Sequence, residues 1–266
     1  MKNRRKGIAG VLAAVIAFAG AASRSPQARM IVRELAGSGI SLRENTKQKD
    51  AGTYQKNSAE NTGDIPDLSS LSASKSQSVI KVNGDSPYFK TSDMAKKPYI
   101  SLSEKDALGR CRQAKMCAYY TGVASKERGD ISSVHPSGWK QAFVKRNGKR
   151  YALYNRSHLL LYKLSRLNDN DRNLITGTEY FNQRLMLSVE SEVLDYVRSS
   201  KEHVIYRVTP VYRGNELVAR GVLMEAKSVE SDRLRLCRYA PNVEPGVSIS
   251  YATGQAQSAS PSVSVQ

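Results

Sequence analysis

The chain's order of elements points to an α+β fold with an antiparallel sheet. Runs with strand character lie on both sides of a long apolar-periodic helical stretch, giving strands, helix, then strands again. An Asn147-Gly148 pair sits between two short apolar-aromatic runs, the signal of a two-residue hairpin. A second turn, Gly214-Asn215, separates two further strand-like runs. No internal repeat is visible, and 266 residues allow one large domain or two small ones.

The chain opens with a basic segment, MKNRRKG, followed by Ile8 to Ala22, which is almost wholly apolar and small. Ala19-Gly20-Ala21 has the small-x-small form of a cleavage site. The apolar run falls short of the roughly 20 residues that span a bilayer, which favours a cleaved secretory signal over an uncleaved anchor. Either case places the remainder outside the cytoplasm. Residues 1–25 are therefore assigned as signal peptide or membrane anchor, with 8–22 as the tether if uncut. Residues 26–77 are rich in Ser, Asn, Lys, Gln, Gly and Thr, too polar to offset the entropy of ordering, and are assigned as a flexible linker. The folded domain spans 78–254, and the Ser/Gln-rich 255–266 are assigned as a disordered tail.

Within the domain, Ser78 to Asn83 is β-branched and reads as a strand, closed by the Gly84-Asp85-Ser86-Pro87 turn. Ser103-Glu104-Lys105-Asp106 has the form of a capping box and opens a helix to about Tyr120, with Gly122 as its stop. Ser133 to Trp139 is a loop. Its His135 is open to two readings, a ligand or base, or a structural hydrogen bond. Gln141 to Val144 and Arg150 to Tyr154 are the strands of the Asn147-Gly148 hairpin and lead directly into Asn155-Arg156-Ser157-His158. A polar loop and the helix carrying Asn182 and Glu190 follow. His203 to Val211, Glu216 to Ala226, Leu234 to Tyr239 and Val247 to Tyr251 read as the later strands.

Cys111, Cys117 and Cys237 make an odd count, so at least one stays unpaired within the chain. On one helix, Cys111 and Cys117 would lie roughly 9 Å apart along the axis, beyond the 7 Å or so that a disulfide tolerates. A pair with Cys237 and three buried free thiols both stay open. The spacing lacks the close paired ligands of a zinc site.

A net charge of +17 calls for an anionic partner: nucleic acid, a membrane surface or an acidic polymer. Cutting a phosphodiester needs a base for water, a cation against the phosphate charge and basic groups on the backbone. His158, at a strand end, can be the base, because a histidine pKa of about 6.5 leaves it largely neutral at pH 7. Arg156, two residues earlier on the same strand face, can grip the phosphate. Asn182 can be the single protein oxygen on a Mg²⁺ that keeps several waters. Glu190 lies 190 − 182 = 8 residues further on. On an α-helix that spacing leaves the two side chains only about 80° apart in direction but roughly 12 Å apart along the axis, too far to share a metal directly, so Glu190 would act through a metal-bound water.

NRSHLL, NLITGTEYFNQ and YRVTPVYRGNELVARGVLMEA, in this order, resemble the DNA/RNA non-specific endonuclease family of ββα-metal nucleases, most of all its exported bacterial DNases. LGR at Leu108 to Arg110, SSVHPSGW and NVEPGVSISYATG add to the likeness, which covers roughly Val79 to Gly254. The usual Asp-Arg-Gly-His signature reads Asn155-Arg156-Ser157-His158 here. The resemblance implies a ββα-metal core, His158 as general base, Asn182 as direct metal ligand, Glu190 as the water-orienting acid and Arg156 on the phosphate. LMLSV at Leu185 to Val189 departs from the family's more aromatic pattern. The resemblance further implies Mg²⁺ or Mn²⁺ as cofactor, DNA or RNA held through its backbone, and 5′-phosphate products with little sequence preference. The alternative from another class is a non-catalytic extracellular module that binds nucleic acid or another polyanion.

Overall fold

The computed structural model describes residues 65–69, 71 and 78–266. The proposed signal and most of the linker lie outside these. Thirteen strands and two helices are described: β1 (Ile80–Lys81), β2 (Tyr99–Leu102), β3 (Ala114–Ala118), β4 (Phe143–Arg146), β5 (Lys149–Ala152), β6 (Tyr154–His158), α1 (Tyr162–Ser165), β7 (Leu174–Thr178), α2 (Leu187–Ser200), β8 (Val204–Val211), β9 (Gly221–Ser228), β10 (Arg235–Pro241), β11 (Val247–Ile249), β12 (Ala256–Ser258) and β13 (Val263–Val265). A π-helical turn, Phe181–Met186, leads into α2. The fold is α+β, with antiparallel sheets throughout.

The largest sheet has six strands in the order β1-β10-β9-β8-β3-β2. Alternation sends Tyr206 and Val208 of β8 and Val222, Met224 and Ala226 of β9 to one face. They pack there with Phe181, Met186, Val189, Val193 and Val197 of the helix. The opposite face carries Leu223, Cys237 and Tyr239. It also buries an ion pair, with Arg207 Nε 2.6 Å from Glu225 Oε2. The Tyr88 amide donates to Glu225 (2.8 Å), and the Phe89 ring lies under the Arg207 guanidinium.

Several expectations are corrected. Residues 103–120 form no helix. Asp106 instead closes a turn, its carboxylate accepting from the Leu108 and Arg110 amides (both 3.0 Å) and from Arg110 Nε. The chain then enters β3, paired with β2 and β8. Ala, Lys and Met are good helix formers, but propensity is worth only tenths of a kcal/mol per residue, and pairing with two flanking strands overrides it. The linker is not unstructured to its end: Ile65, Leu68 and Leu71 pack on the rear sheet face, with Leu68 only 2% exposed. The tail is not disordered either. β12 pairs with β11, and β13 pairs with β4 and buries Val263 beside Val144.

The Asn147-Gly148 hairpin forms as expected, with both residues at positive φ (49° and 77°), joining β4 to β5. After Leu153 the chain leaves that sheet, and β6 pairs with β7, a strand not anticipated. All three cysteines are free and buried.

Candidate active site

The β6–β7 hairpin places Arg156 opposite Thr176 and His158 opposite Leu174. Arg156 and His158 share one face, and Asn155 and Ser157 share the other. Gly177 lets the helix close on that second face. A Cβ there would collide with Ser157 Oγ and lie 2.6 Å from Phe181 Cδ1. The strand of His158 and the helix of Asn182 are thereby packed around one glycine.

Beyond His158 the chain is held by Asn173, which is fully buried. Its side chain brackets Leu160, accepting from the Leu160 amide (2.9 Å) and donating to the Leu160 carbonyl (3.1 Å). His158 Nε2 lies 2.8 Å from the Asn168 carbonyl oxygen. A carbonyl only accepts, so Nε2 carries the proton and Nδ1 keeps its lone pair. Burial lowers the His158 pKa below its usual value, and the nearby Arg128 charge acts in the same direction. The imidazole is thus neutral at pH 7 and able to take a proton at Nδ1.

Arg156 is already engaged. Its Nε donates to the Val134 carbonyl and its Nη2 to the Ser132 carbonyl (2.6 Å), while the guanidinium lies 4.2 Å from the Trp139 ring centroid. Its first task is to hold the 132–139 loop, with only part of its donor set left for a phosphate. Arg128, which sequence reasoning missed, is an exposed cation near His158. Its loop is fastened by Asn168, whose side chain accepts from the Gly129 amide (2.8 Å) and donates to the Asp130 carbonyl (3.0 Å). Asn168 thus orients the histidine through its backbone and places the arginine's loop through its side chain. Nothing local in the sequence marks Arg128, because its position depends on that long-range contact.

Asn182 is half-buried within the π turn. Glu190, in the first turn of α2, is 6% exposed and has no hydrogen bond or ion pair to any described residue. Burial pushes its pKa up to about 8. The π turn changes the expected geometry, since it accommodates one residue more than α turns of the same phase. The eight-residue spacing then acts as seven, about 700°, and the two side chains point within roughly 20° of each other instead of 80°. The same shift turns Phe181 into the core, where it is fully buried. A neutral amide oxygen and a buried carboxylate on one helix flank suit a hard divalent cation that keeps most of its waters. No group of three His, Cys, Asp or Glu among the described residues could hold a metal alone.

No side-chain hydrogen bond joins His158, Arg156, Asn182 and Glu190 to one another among the described contacts. His135 is exposed, and its Nδ1 contacts only the nearby Ser133 carbonyl (3.1 Å). The Cys111 thiol donates to the carbonyls of Asp171 and Leu174 (3.2 and 3.1 Å), and burial pushes its pKa up to about 11. That is a structural thiol rather than a ligand or nucleophile.

Among curated proteins no sequence matches. Among solved structures, NucA from Streptococcus agalactiae with a magnesium ion bound is similar with a TM-score of 0.61 at 24% identity, over 68% of this chain and 87% of that one. The metal-free form of NucA gives 0.59 at 25% identity over the same shares. The Sda1 nuclease with bound zinc ion gives 0.52 at 27% identity, over 60% of this chain and 81% of that one. The model of the DNA/RNA non-specific endonuclease family matches residues 92–230, just over half of the chain and all of the β6–β7–helix unit. The chain belongs to the DNA/RNA non-specific endonuclease family.

Proposed function

We propose that this non-specific endonuclease is an exported, Mg²⁺-dependent enzyme that hydrolyses DNA, and RNA where it is offered, to 5′-phosphate ends. The observation that carries the reading is the His158 Nε2 bond to the Asn168 carbonyl, which puts the proton on Nε2 and leaves Nδ1 its lone pair. In this reading Nδ1 takes a proton from the attacking water, the new P–O bond forms, and the P–O3′ bond breaks. O3′ leaves with a proton from solvent, so the phosphate stays on the 5′ side.

Asn182 would be the direct metal ligand, and Glu190 would hold a water of the same site from the helix flank. A divalent cation bound there, Mg²⁺ or Mn²⁺, supplies positive charge against that building on the phosphate. Its charge would also ionise Glu190, which burial alone keeps protonated at pH 7. Arg128 and the uncommitted donors of Arg156 would hold the phosphate backbone. Such contacts read no base, which fits low sequence preference.

The basic start and apolar run of residues 1–25 support secretion. Among the described residues no helix is long and apolar enough to cross a membrane. The test is plasmid digestion by the full chain with Mg²⁺, Mn²⁺ or chelator, beside His158→Ala and Asn182→Ala. Metal-dependent cleavage lost in both variants is the expected result. Retained cleavage by His158→Ala would remove the base from the mechanism. Salt-sensitive binding without cleavage under any metal would instead favour a polyanion-binding module.

A further inference from the structure

The Asn242-Val243-Glu244 stretch lies outside the matched family span, yet its three residues bond the junction between β7 and the helix. The Asn242 side chain, fully buried, accepts from the Thr178 amide (3.0 Å) and donates to the carbonyls of Thr176 (3.0 Å) and Ala219 (2.9 Å). The Val243 carbonyl accepts from the Thr178 hydroxyl (2.6 Å). That hydroxyl in turn accepts from the Phe181 amide (3.1 Å) and caps the helix start. The Glu244 carboxylate, 1% exposed, accepts from the Tyr180 amide in the first helical turn (3.0 Å). Its other oxygen accepts from the Tyr151 hydroxyl (2.9 Å) and lies 3.3 Å from Arg146 Nη2.

We propose that Glu244, seated by Asn242, is a positioning residue that fixes the helix start and so aims the Asn182 side chain at the metal. This rests on the assignment of Asn182 as the direct ligand. The position of Asn182 is set by the first turn of its helix, and an isolated helix end frays. Thr178 and Glu244 satisfy successive amides of that turn, those of Phe181 and Tyr180. A carboxylate there also complements the partial positive charge of the helix start. Through Tyr151 and Arg146 the same carboxylate joins the β4–β5 hairpin to the metal-bearing turn. Glu244 touches no reacting atom. Its effect is on where Asn182 sits, and the direct readout is therefore metal affinity.

The test titrates the full chain with Mn²⁺, followed by electron paramagnetic resonance, for wild type, Glu244→Ala, Glu244→Gln and Asn182→Ala. Melting is recorded in parallel. Asn182→Ala is expected to abolish the site. Glu244→Ala should weaken Mn²⁺ binding about tenfold or more, the usual loss when a ligand's supporting partner is removed. Glu244→Gln keeps an acceptor for the Tyr180 amide and should recover most of that affinity. Wild-type affinity in folded Glu244→Ala overturns the proposal, whatever its melting temperature. If Glu244→Ala does not fold, Glu244→Asp draws the carboxylate back from the Tyr180 amide by one methylene, and wild-type affinity there overturns it equally. If Asn182→Ala binds Mn²⁺ like the wild type, the ligand assignment itself has failed, and this is visible separately from any effect at Glu244.

Discussion

The π turn makes a prediction opposite to ordinary intuition about metal sites. Deleting one residue from a ligand-bearing helix normally rotates everything before the cut by about 100°. Deleting Gln183, which is exposed within the π turn, should not. It converts the turn to α geometry and leaves Asn182 and Glu190 seven residues apart, again about 700°. The caps at Thr178 and Glu244 keep their places, and Phe181 stays in the core. Inserting one alanine between Gln183 and Arg184 has the reverse effect. With side-chain tips roughly 5–6 Å from the helix axis, a 100° rotation moves the Asn182 amide by about 8 Å. A Mg–oxygen bond is only about 2.1 Å long, so no side-chain adjustment absorbs that displacement. Mn²⁺ titration and plasmid cleavage are the assays, with circular dichroism to verify folding. The deletion should keep metal affinity within about tenfold of wild type, a loss under about 1.4 kcal/mol. The insertion should match Asn182→Ala. A folded deletion variant that loses the metal as completely as the insertion would refute the phase argument.

Three further outcomes follow from named contacts. Because burial lowers the His158 pKa, the neutral base persists below the ordinary value of 6.5, so the acid limb of kcat/KM should lie below that pH. The folded state disfavours the imidazolium, so this residue's contribution to stability is present above the unfolded value and fades as pH falls through 6.5 towards the folded one. An acid limb above pH 7 would contradict His158 as a buried neutral base. Arg128→Ala removes a repelling charge and should move that limb to higher pH. It should also weaken DNA binding and reduce the slope of log K against log salt by about one. An unchanged limb and slope would place Arg128 outside the site. Leu68→Ala empties a buried position on the rear sheet face and should cost about 2–5 kcal/mol, lowering Tm by roughly 4–20 °C. A protein beginning at Ser78 should show a similar loss, and an unaltered Tm in both would detach Ile65 to Leu71 from the core.

What could be read from the residues alone was what is local. Asn147-Gly148 dictates its own turn, and the later strands alternate clearly enough to be placed within a few residues. β7 was missed because Leu174 to Thr178 is buried on both faces and runs into the helix without a break, so its apolar residues show no period of two. β3 was misread because Ala114 to Ala118 is composed of residues that suit a helix, and only its two neighbours make it a strand. Leu68 was overlooked because apolar residues every third position in a polar stretch form no pattern until a sheet face lies beneath them. The π turn leaves no mark in composition, since Phe181, Leu185, Met186 and Val189 are compatible with an ordinary helical stripe.

The site divides along the same line. His158, Arg156, Asn182 and Glu190 lie within one continuous stretch, in residue types whose chemistry is recognisable without a fold. The groups that aim them come from elsewhere in the chain. Asn168 fixes the histidine tautomer, Ser132 and Val134 occupy the arginine, and Asn242 with Glu244 holds the start of the helix that carries Asn182. None of these has a reactive role, so none stands out by type or spacing. They matter because a base or a ligand displaced by about 1 Å loses much of its advantage. That explains how Arg156 could be identified from its motif while the contacts that hold its guanidinium could not. The motif specified the residue, whereas the carbonyls that engage it are set by a loop more than twenty residues earlier in the chain.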